Sequence, residues 1–483
     1  MQGNDDEIEE KRHTTRRTFL GTLSAAGVFG LSQTTASATG NPRSAAPPQG
    51  DTDVPSLEPT NVERVSELSD RLLEFSFENP LVDPPLETAN VRVLLPEGYD
   101  ETDKTYPTIY LLHGGGNSAA SWSDPDLSPG EIGPGPVQNY VDEDVVVVMP
   151  DGGEGGWYTD WYNGGDFGAP MWETFHIHQL VPWAEDRFRL RSERGSRVVA
   201  GLSMGSVGAL QYAARYPDVF AGVYAFSGGP FPIEQLQSDA EDGELGSALA
   251  NAYGDPFEQE TRVRGLNPND LTENYRNLRL YMAVGKGEGR SGPAAEIEAV
   301  VYENFLTFVE NLDETGIDYT FDVFPEGVHD WPYWQKYLKR VLPDIMDVFA
   351  SAPVDPSGFT HKTILRDFDI WGWQIDREDR NRQTAEFLTL EDVTSDGLTI
   401  TGRGKTVVTT PGDYESGQKY RLNHDGGSAT VRPRVVRADE DGCLTFAVHL
   451  GPAAEPGNDV ANQPESATIS IEPFERGRSN SCN

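Results

Sequence analysis

Val198-Val199-Ala200-Gly201-Leu202-Ser203-Met204-Gly205 joins a β-branched apolar run to a helix-forming run, Met204–Tyr216, that Pro217 stops. The centre of this stretch is a G-x-S-x-G element, and its small residues permit a tight strand-to-helix turn. Such a turn lifts a serine hydroxyl out of the sheet, and the positive end of the following helix points toward a developing oxyanion. A G-x-S-x-G alone occurs by chance in Gly/Ser-rich sequence; the flanking strand and helix make Ser203 a candidate nucleophile.

Outward from this turn, apolar runs suited to buried strands recur at Val91–Leu95, Thr108–Leu112, Val145–Met149, Val223–Ser227, Leu280–Gly285 and Tyr319–Phe324. Helix patterns alternate with them at Glu173–Arg187, Ala294–Thr315 and Trp334–Ala350. Alternation of this kind predicts an α/β fold with a mostly parallel central sheet over residues 61–350. Beyond Ser351-Ala352-Pro353-Val354-Asp355-Pro356 the segments shorten to Thr363–Asp369, Leu398–Thr401, Thr406–Thr409, Ala429–Arg434 and Leu444–Leu450. Asp396-Gly397, Pro411-Gly412 and Asp441-Gly442 punctuate them, so residues 351–455 read as a small all-β sandwich. Residues 39–60 and 456–483 are Pro/Gly/Ser-rich and polar, and read as a flexible linker and a flexible tail.

Residues 1–38 read as an address. Thr15-Arg16-Arg17-Thr18-Phe19-Leu20 carries paired arginines before an apolar stretch, and Ala36-Ser37-Ala38 offers a cleavage site. The pattern resembles a twin-arginine export signal and predicts an extracellular or cell-surface protein. No other stretch has the run of apolar residues that a membrane span needs, so no membrane insertion is expected once the signal is removed.

Composition narrows the function. The 483 residues carry 38 Lys+Arg against 78 Asp+Glu, a formal net charge of −40. Phosphate backbones require cationic surface, so nucleic acid is excluded as a partner, and anionic membranes fit no better. Only eight of the cations are lysines, a carboxylate-rich balance that resembles halophilic proteins, in which dense counterions screen self-repulsion. With 10% aromatic residues the chain still has material for a folded core. Cys443 and Cys482 cannot supply a disulfide framework or a cysteine zinc site.

A serine nucleophile needs a base, an orienting acid and an oxyanion hole. His329, on the short loop after Tyr319–Phe324, gives the chain order serine, acid, histidine. The acid belongs just past Leu280–Gly285: Glu288 stands first, with Glu296 and Glu298 on the start of the next helix as alternatives. Leu111-Leu112-His113-Gly114-Gly115-Gly116 ends another strand in glycines that let backbone amides approach a substrate carbonyl. The hole is assigned to the Gly115 and Met204 amides, with Gly116 the competitor to Gly115; His113 orients the loop. His176 and His178 form an H-x-H without a third ligand nearby, and metal is not implied.

Several stretches together resemble the esterase D / mycolyltransferase-type (antigen-85-like) esterases of the α/β-hydrolase superfamily. They are Leu94-Leu95-Pro96-Glu97-Gly98-Tyr99, Tyr106–Gly114, Trp157-Tyr158-Thr159-Asp160-Trp161-Tyr162, Trp172-Glu173-Thr174-Phe175, Gly201–Gly205 and Gly327-Val328-His329-Asp330-Trp331-Pro332-Tyr333-Trp334. The resemblance runs over about Phe75–Pro343. It implies Ser203 as nucleophile, His329 as base and Gly115 as an oxyanion amide. The mycolyltransferase branch has Asp-Gly where this chain has His113-Gly114, and the position of its acid differs from that of Glu288. The C-terminal part resembles β-domains appended to some secreted esterases, with Trp371-Gly372-Trp373 as landmark.

The expectation is therefore a secreted serine esterase acting on a small-molecule, lipid or acylated-sugar ester without cofactor. Trp157, Trp161, Trp331 and Trp334 line its pocket or its core. Acyl transfer to a cell-surface sugar or lipid is the alternative for the same nucleophile. A non-catalytic adhesion protein is the reading from another class. Oligomeric state is not encoded in any of these features.

Overall fold

The structure, a computed structural model, describes residues 54–82, 86–127, 133–163, 170–243, 245–377, 385–426, 429–453 and 464–474. The export signal, most of the linker, Cys482 and the ends of the predicted tail lie outside the described residues. The chain divides into two compact units that meet at Val354/Asp355.

The first unit is built on nine strands: β1 (Asn61–Arg64), β2 (Leu72–Phe77), β3 (Ala89–Leu94), β4 (Thr108–Leu112), β5 (Val146–Pro150), β6 (Arg197–Leu202), β7 (Gly222–Phe226), β8 (Arg279–Gly285) and β9 (Thr320–Phe324). Their order is β1-β2-β3-β5-β4-β6-β7-β8-β9. From β5 to β9 every pairing is parallel, and β1–β3 add an antiparallel edge. β4, β5, β6 and β7 are almost wholly buried because helices cover both faces, which is why they read as continuous apolar runs. From β4 the chain turns to β5 on one side, whereas β6 lies on the other. The loops after β4 and β6 therefore diverge at the carboxyl ends of adjacent strands, where open α/β sheets place their ligand sites.

The helices are α1 (Val181–Arg187, continuing a π-helical turn Thr174–Leu180), α2 (Met204–Arg215), α3 (Ile233–Glu241), α4 (Ser247–Tyr253), α5 (Glu260–Leu266), α6 (Pro293–Thr315) and α7 (Trp331–Ser351). α7 buries Trp334, Tyr337, Leu338, Val341, Leu342, Ile345 and Phe349 in one core with Ile109, Val147, Val198 and Phe226 of the sheet. Residues before β1, read as linker, are partly tied down: Leu57 is buried and the Pro55 carbonyl accepts from Gln179 Nε2 at 2.7 Å.

A buried polar layer fixes α2 to Asp151, Glu173 and His176. Glu173 and Arg215 form a bidentate pair at 2.7 and 3.0 Å, and Tyr216 Oη donates to the same carboxylate. Burial works against the Glu173 carboxylate, but Arg215 outweighs it and holds Glu173 below the ordinary range. His176 bridges Asp151 and Tyr212: its Nε2–H donates to the Asp151 carbonyl and its Nδ1 accepts from Tyr212 Oη, each at 2.8 Å. Burial pushes this imidazole down to about 3. His176 is thus a packing residue, while His178 is exposed.

The second unit is a sandwich of two antiparallel sheets. Its strands are β10 (Phe359–Thr363), β11 (Asp367–Ile370), β12 (Trp373–Arg377), β13 (Leu388–Thr394), β14 (Gly397–Gly402), β15 (Gly404–Thr409), β16 (Lys419–Asp425), β17 (Thr430–Arg432), β18 (Val435–Arg437), β19 (Thr445–Leu450) and β20 (Glu465–Pro473). One sheet runs β10-β13-β14-β20-β16-β18 and the other β11-β12-β15-β19-β17. Two expectations are corrected here. Thr363–Asp369 is not one strand, since β10 and β11 belong to opposite sheets. The tail is not flexible throughout, because β20 sits at the centre of the larger sheet. Its polar residues hide a two-residue alternation in which Ala467, Ile469 and Ile471 point inward. Trp371-Gly372 is the tight turn between β11 and β12, with φ of 47° and 79°, and Trp373 is core.

A histidine buried neutral adds stability above its unfolded value near 6.5, which is lost as pH falls toward its depressed folded value. His176→Gln cannot charge. At pH 8 it is expected to be less stable than wild type by roughly 1–3 kcal/mol in urea unfolding. Below about pH 6.5 that deficit closes by up to about 1.4 kcal/mol per pH unit. A deficit independent of pH would mean that His176 is not held neutral.

Candidate active site

Ser203 sits on the turn between β6 and α2 with φ of 51° and ψ of −120°. This backbone is strained for a residue with a Cβ, and strain of this kind collects at functional sites. The turn is possible because of its glycines. A Cβ on Gly201 would stand 2.2 Å from the Gly205 carbonyl, and one on Gly205 would stand 2.5 Å from the His113 carbonyl. The same close approach brings the loop after β4 against the serine turn. The Ser203 amide donates to Phe226 of β7 at 2.9 Å, which ties the turn to the next strand.

His329 lies on the loop between β9 and α7, and its Nε2 is 2.9 Å from Ser203 Oγ. Its Nδ1 is 2.9 Å from Glu298 Oε2. A carboxylate only accepts, so Nδ1 carries the proton and Nε2 accepts from the serine hydroxyl. The imidazole is further fixed by the edge-on Trp334 ring, 4.9 Å between centroids, and by its own amide bonded to Ala294 at 3.0 Å. Glu298 is fully buried, and its other oxygen, Oε1, accepts from the Gly285 amide at 2.6 Å and from Ser227 Oγ at 2.7 Å.

The acid on His329 is therefore Glu298, and Glu288 is corrected. Glu288 lies on the β8–α6 loop with its side chain 61% exposed, 3.8 Å from Lys286. Glu296, on the first turn of α6, faces solvent. The signal was helical phase rather than distance from the strand. Ala295, Glu298, Val301, Phe305, Phe308 and Leu312 form the buried stripe of α6, and Glu298 is the acidic member of that stripe.

The loop after β4 is held by the segment after β5. His113 Nε2 accepts from the Gly152 amide at 2.9 Å, so Nδ1 carries the proton and donates to the Gly114 carbonyl at 2.7 Å. Burial lowers this histidine below its ordinary value and keeps it neutral. Tyr158 Oη donates to the His113 carbonyl at 2.9 Å. The Gly116 amide donates to the Glu154 carbonyl at 2.7 Å, which commits it elsewhere and leaves the Gly115 amide as the candidate of this pair. Met204 is the first residue of α2, where amides have no acceptor within the helix.

Of the four tryptophans, Trp331 and Trp334 pack edge-to-face with each other in the core. Trp157 is buried against Phe231 and Tyr253, and Trp161 Nε1 donates to Gly156. Phe231 and Tyr253, with Val207, Leu236, Val263 and Leu266, line an apolar recess beneath α3–α5. Val207 is one helical turn beyond Ser203.

A model of the Esterase family matches residues 86–345. Esterase Rv1288 of Mycobacterium tuberculosis (strain ATCC 25618 / H37Rv) is 35% identical over 247 residues, covering 49% of this chain and 52% of that protein. The chain thus spans about half the length of that relative. Diacylglycerol acyltransferase/mycolyltransferase Ag85A of the same strain is 30% identical over 263 residues, 51% of this chain and 75% of that protein. Among solved structures, Mycobacterium tuberculosis MPT51 (FbpC1) aligns with 55% of this chain and 94% of its own at 22% identity, with a TM-score of 0.42. A family match over more than half the sequence, with an Ag85A relative covered across three quarters of its length, makes this chain a member of the esterase family.

Proposed function

We propose that the chain is a serine esterase that hydrolyses carboxylic esters through an acyl-enzyme on Ser203. The observation that carries this reading is the continuous line Ser203 Oγ, His329 Nε2, His329 Nδ1, Glu298 Oε2, each step 2.9 Å. The Ser203 oxygen attacks the ester carbonyl while its proton passes to His329 Nε2. The resulting imidazolium is stabilised by buried Glu298, and the Gly115 and Met204 amides hold the oxyanion. Collapse expels the alcohol, which takes the proton from Nε2. Water, deprotonated by the same nitrogen, then attacks the acyl-enzyme and releases the acid. No step calls on a cofactor.

Acyl transfer to an alcohol acceptor is the second reading, favoured by the likeness to Ag85A. It differs only in the nucleophile that clears the acyl-enzyme. Export by the twin-arginine route to the cell exterior is proposed from Thr15–Leu20.

Four experiments test these proposals. In multimolar KCl, which screens the charge of −40, Ser203→Ala is expected to lose roughly 10³–10⁶-fold in kcat on chromogenic esters from acetyl to palmitoyl. Glu298→Gln should lose about 10²–10⁴-fold, and Glu288→Gln nothing. Equal rates in wild type and Ser203→Ala would end the esterase reading, and loss of activity in Glu288→Gln would end the assignment to Glu298. With a sugar or glycerol acceptor added, the free acid should remain the main product; an acylated acceptor in its place would establish transfer. Replacing Arg16 and Arg17 by lysine should leave the protein inside the cell, and continued export would remove the twin-arginine assignment.

A further inference from the structure

Ser227, the residue that follows β7, is a buried hydroxyl with no part in the chemistry above. It is fully inaccessible and has φ of 48°, left-handed backbone that a residue with a Cβ rarely adopts. Its amide donates to Ala283 of β8 at 2.9 Å, so the backbone is fixed by the sheet itself. From that position its Oγ lies 2.7 Å from Glu298 Oε1. Glycine would meet the backbone requirement without strain, whereas serine adds only the hydroxyl.

We infer that Ser227 is a positioning residue for the proposed ester hydrolysis. Its hydroxyl, with the Gly285 amide, pins Glu298 Oε1 so that Oε2 is presented to His329. The inference rests on that reading of the site. Geometry makes the division of labour clear. Glu298 reaches the site from α6, one turn and more beyond the helix start, on a side chain with several rotatable bonds. Two donors on one oxygen, at 2.6 and 2.7 Å, leave the other oxygen a single orientation, 2.9 Å from His329 Nδ1. The Gly285 donor is backbone and cannot be removed; the Ser227 donor can. The ionisable groups facing Glu298 are His329 and, from α7, Tyr337, whose phenol is raised by burial and by the Glu298 charge. Neither is a second hydroxyl donor to Oε1.

Loss of the Ser227 donor leaves Glu298 Oε1 held by the Gly285 amide alone. A carboxylate free to swing aligns His329 with Ser203 less of the time, so kcat falls while substrate binding is unchanged.

The test compares Ser227→Ala and Ser227→Gly with wild type on a chromogenic ester. Both variants should show kcat about tenfold lower with KM unchanged. Ser227→Gly should keep at least the melting temperature of Ser227→Ala, because glycine relieves the positive φ. A second readout needs no turnover: the far-downfield proton resonance of the His329 Nδ1–Glu298 bond should broaden or move in both variants. Wild-type kcat in either folded variant would overturn the inference. So would a fall in kcat that tracks lost melting temperature while the downfield resonance stays in place. If wild type itself hydrolyses no ester, the esterase reading fails and the resonance alone decides the role of Ser227.

Discussion

A serine held at φ of 51° between a parallel strand and a helix is the constraint from which the rest of the site follows. The turn can close only if residue 205 has no side chain, since any Cβ there would enter the His113 carbonyl. The same requirement brings the loop after β4 to the nucleophile and leaves α2 starting directly beneath it. Strain in a single residue is thus tied to the adjacency of two strand ends. The parallel register of β4 and β6, which pairs Leu112 with Gly201, supports that arrangement.

Around this turn the molecule spends buried polar groups freely. His113, Asp151, His176, Tyr212, Glu173 and Arg215 are inaccessible, and each is joined to a backbone or side-chain partner. Replacing one member leaves its neighbours unsatisfied in a low dielectric, so such a layer tolerates little movement. Its location explains its use. It anchors the segment after β5, which in turn holds the loop after β4 through Gly152, Glu154 and Tyr158. The amides proposed to face the oxyanion are therefore supported by a second layer that itself touches no substrate.

Most of the first unit was legible because its signals are local. Parallel strands buried on both faces announce themselves as apolar runs, and Thr108–Leu112 falls where the run does. Ser203 and His329 were legible because chain order and strand ends place them. Glu288 stands ahead of Glu298 on sequence alone because proximity to the strand end is a stronger local signal than the helical phase that buries residues 295, 298 and 301 together. β20 was missed for a related reason. Serine and threonine on its outer face give the composition of a tail, while only every second residue reports the core. β1 and β2 escaped notice because β1 is exposed throughout and β2 is an edge-side strand of mixed polarity.

The position of β20 bears on how the sandwich assembles. It lies between β14 and β16, so the larger sheet has no continuous hydrogen bonding until a segment more than sixty residues from β14 has arrived. Before then β10-β13-β14 and β16-β18 are separate ribbons, each with an open edge, and closing such distant pairings is slow. An open edge of this kind is a template for strands of other chains. The high negative charge of the whole chain opposes that intrusion by other copies while the sheet waits for its own last strand.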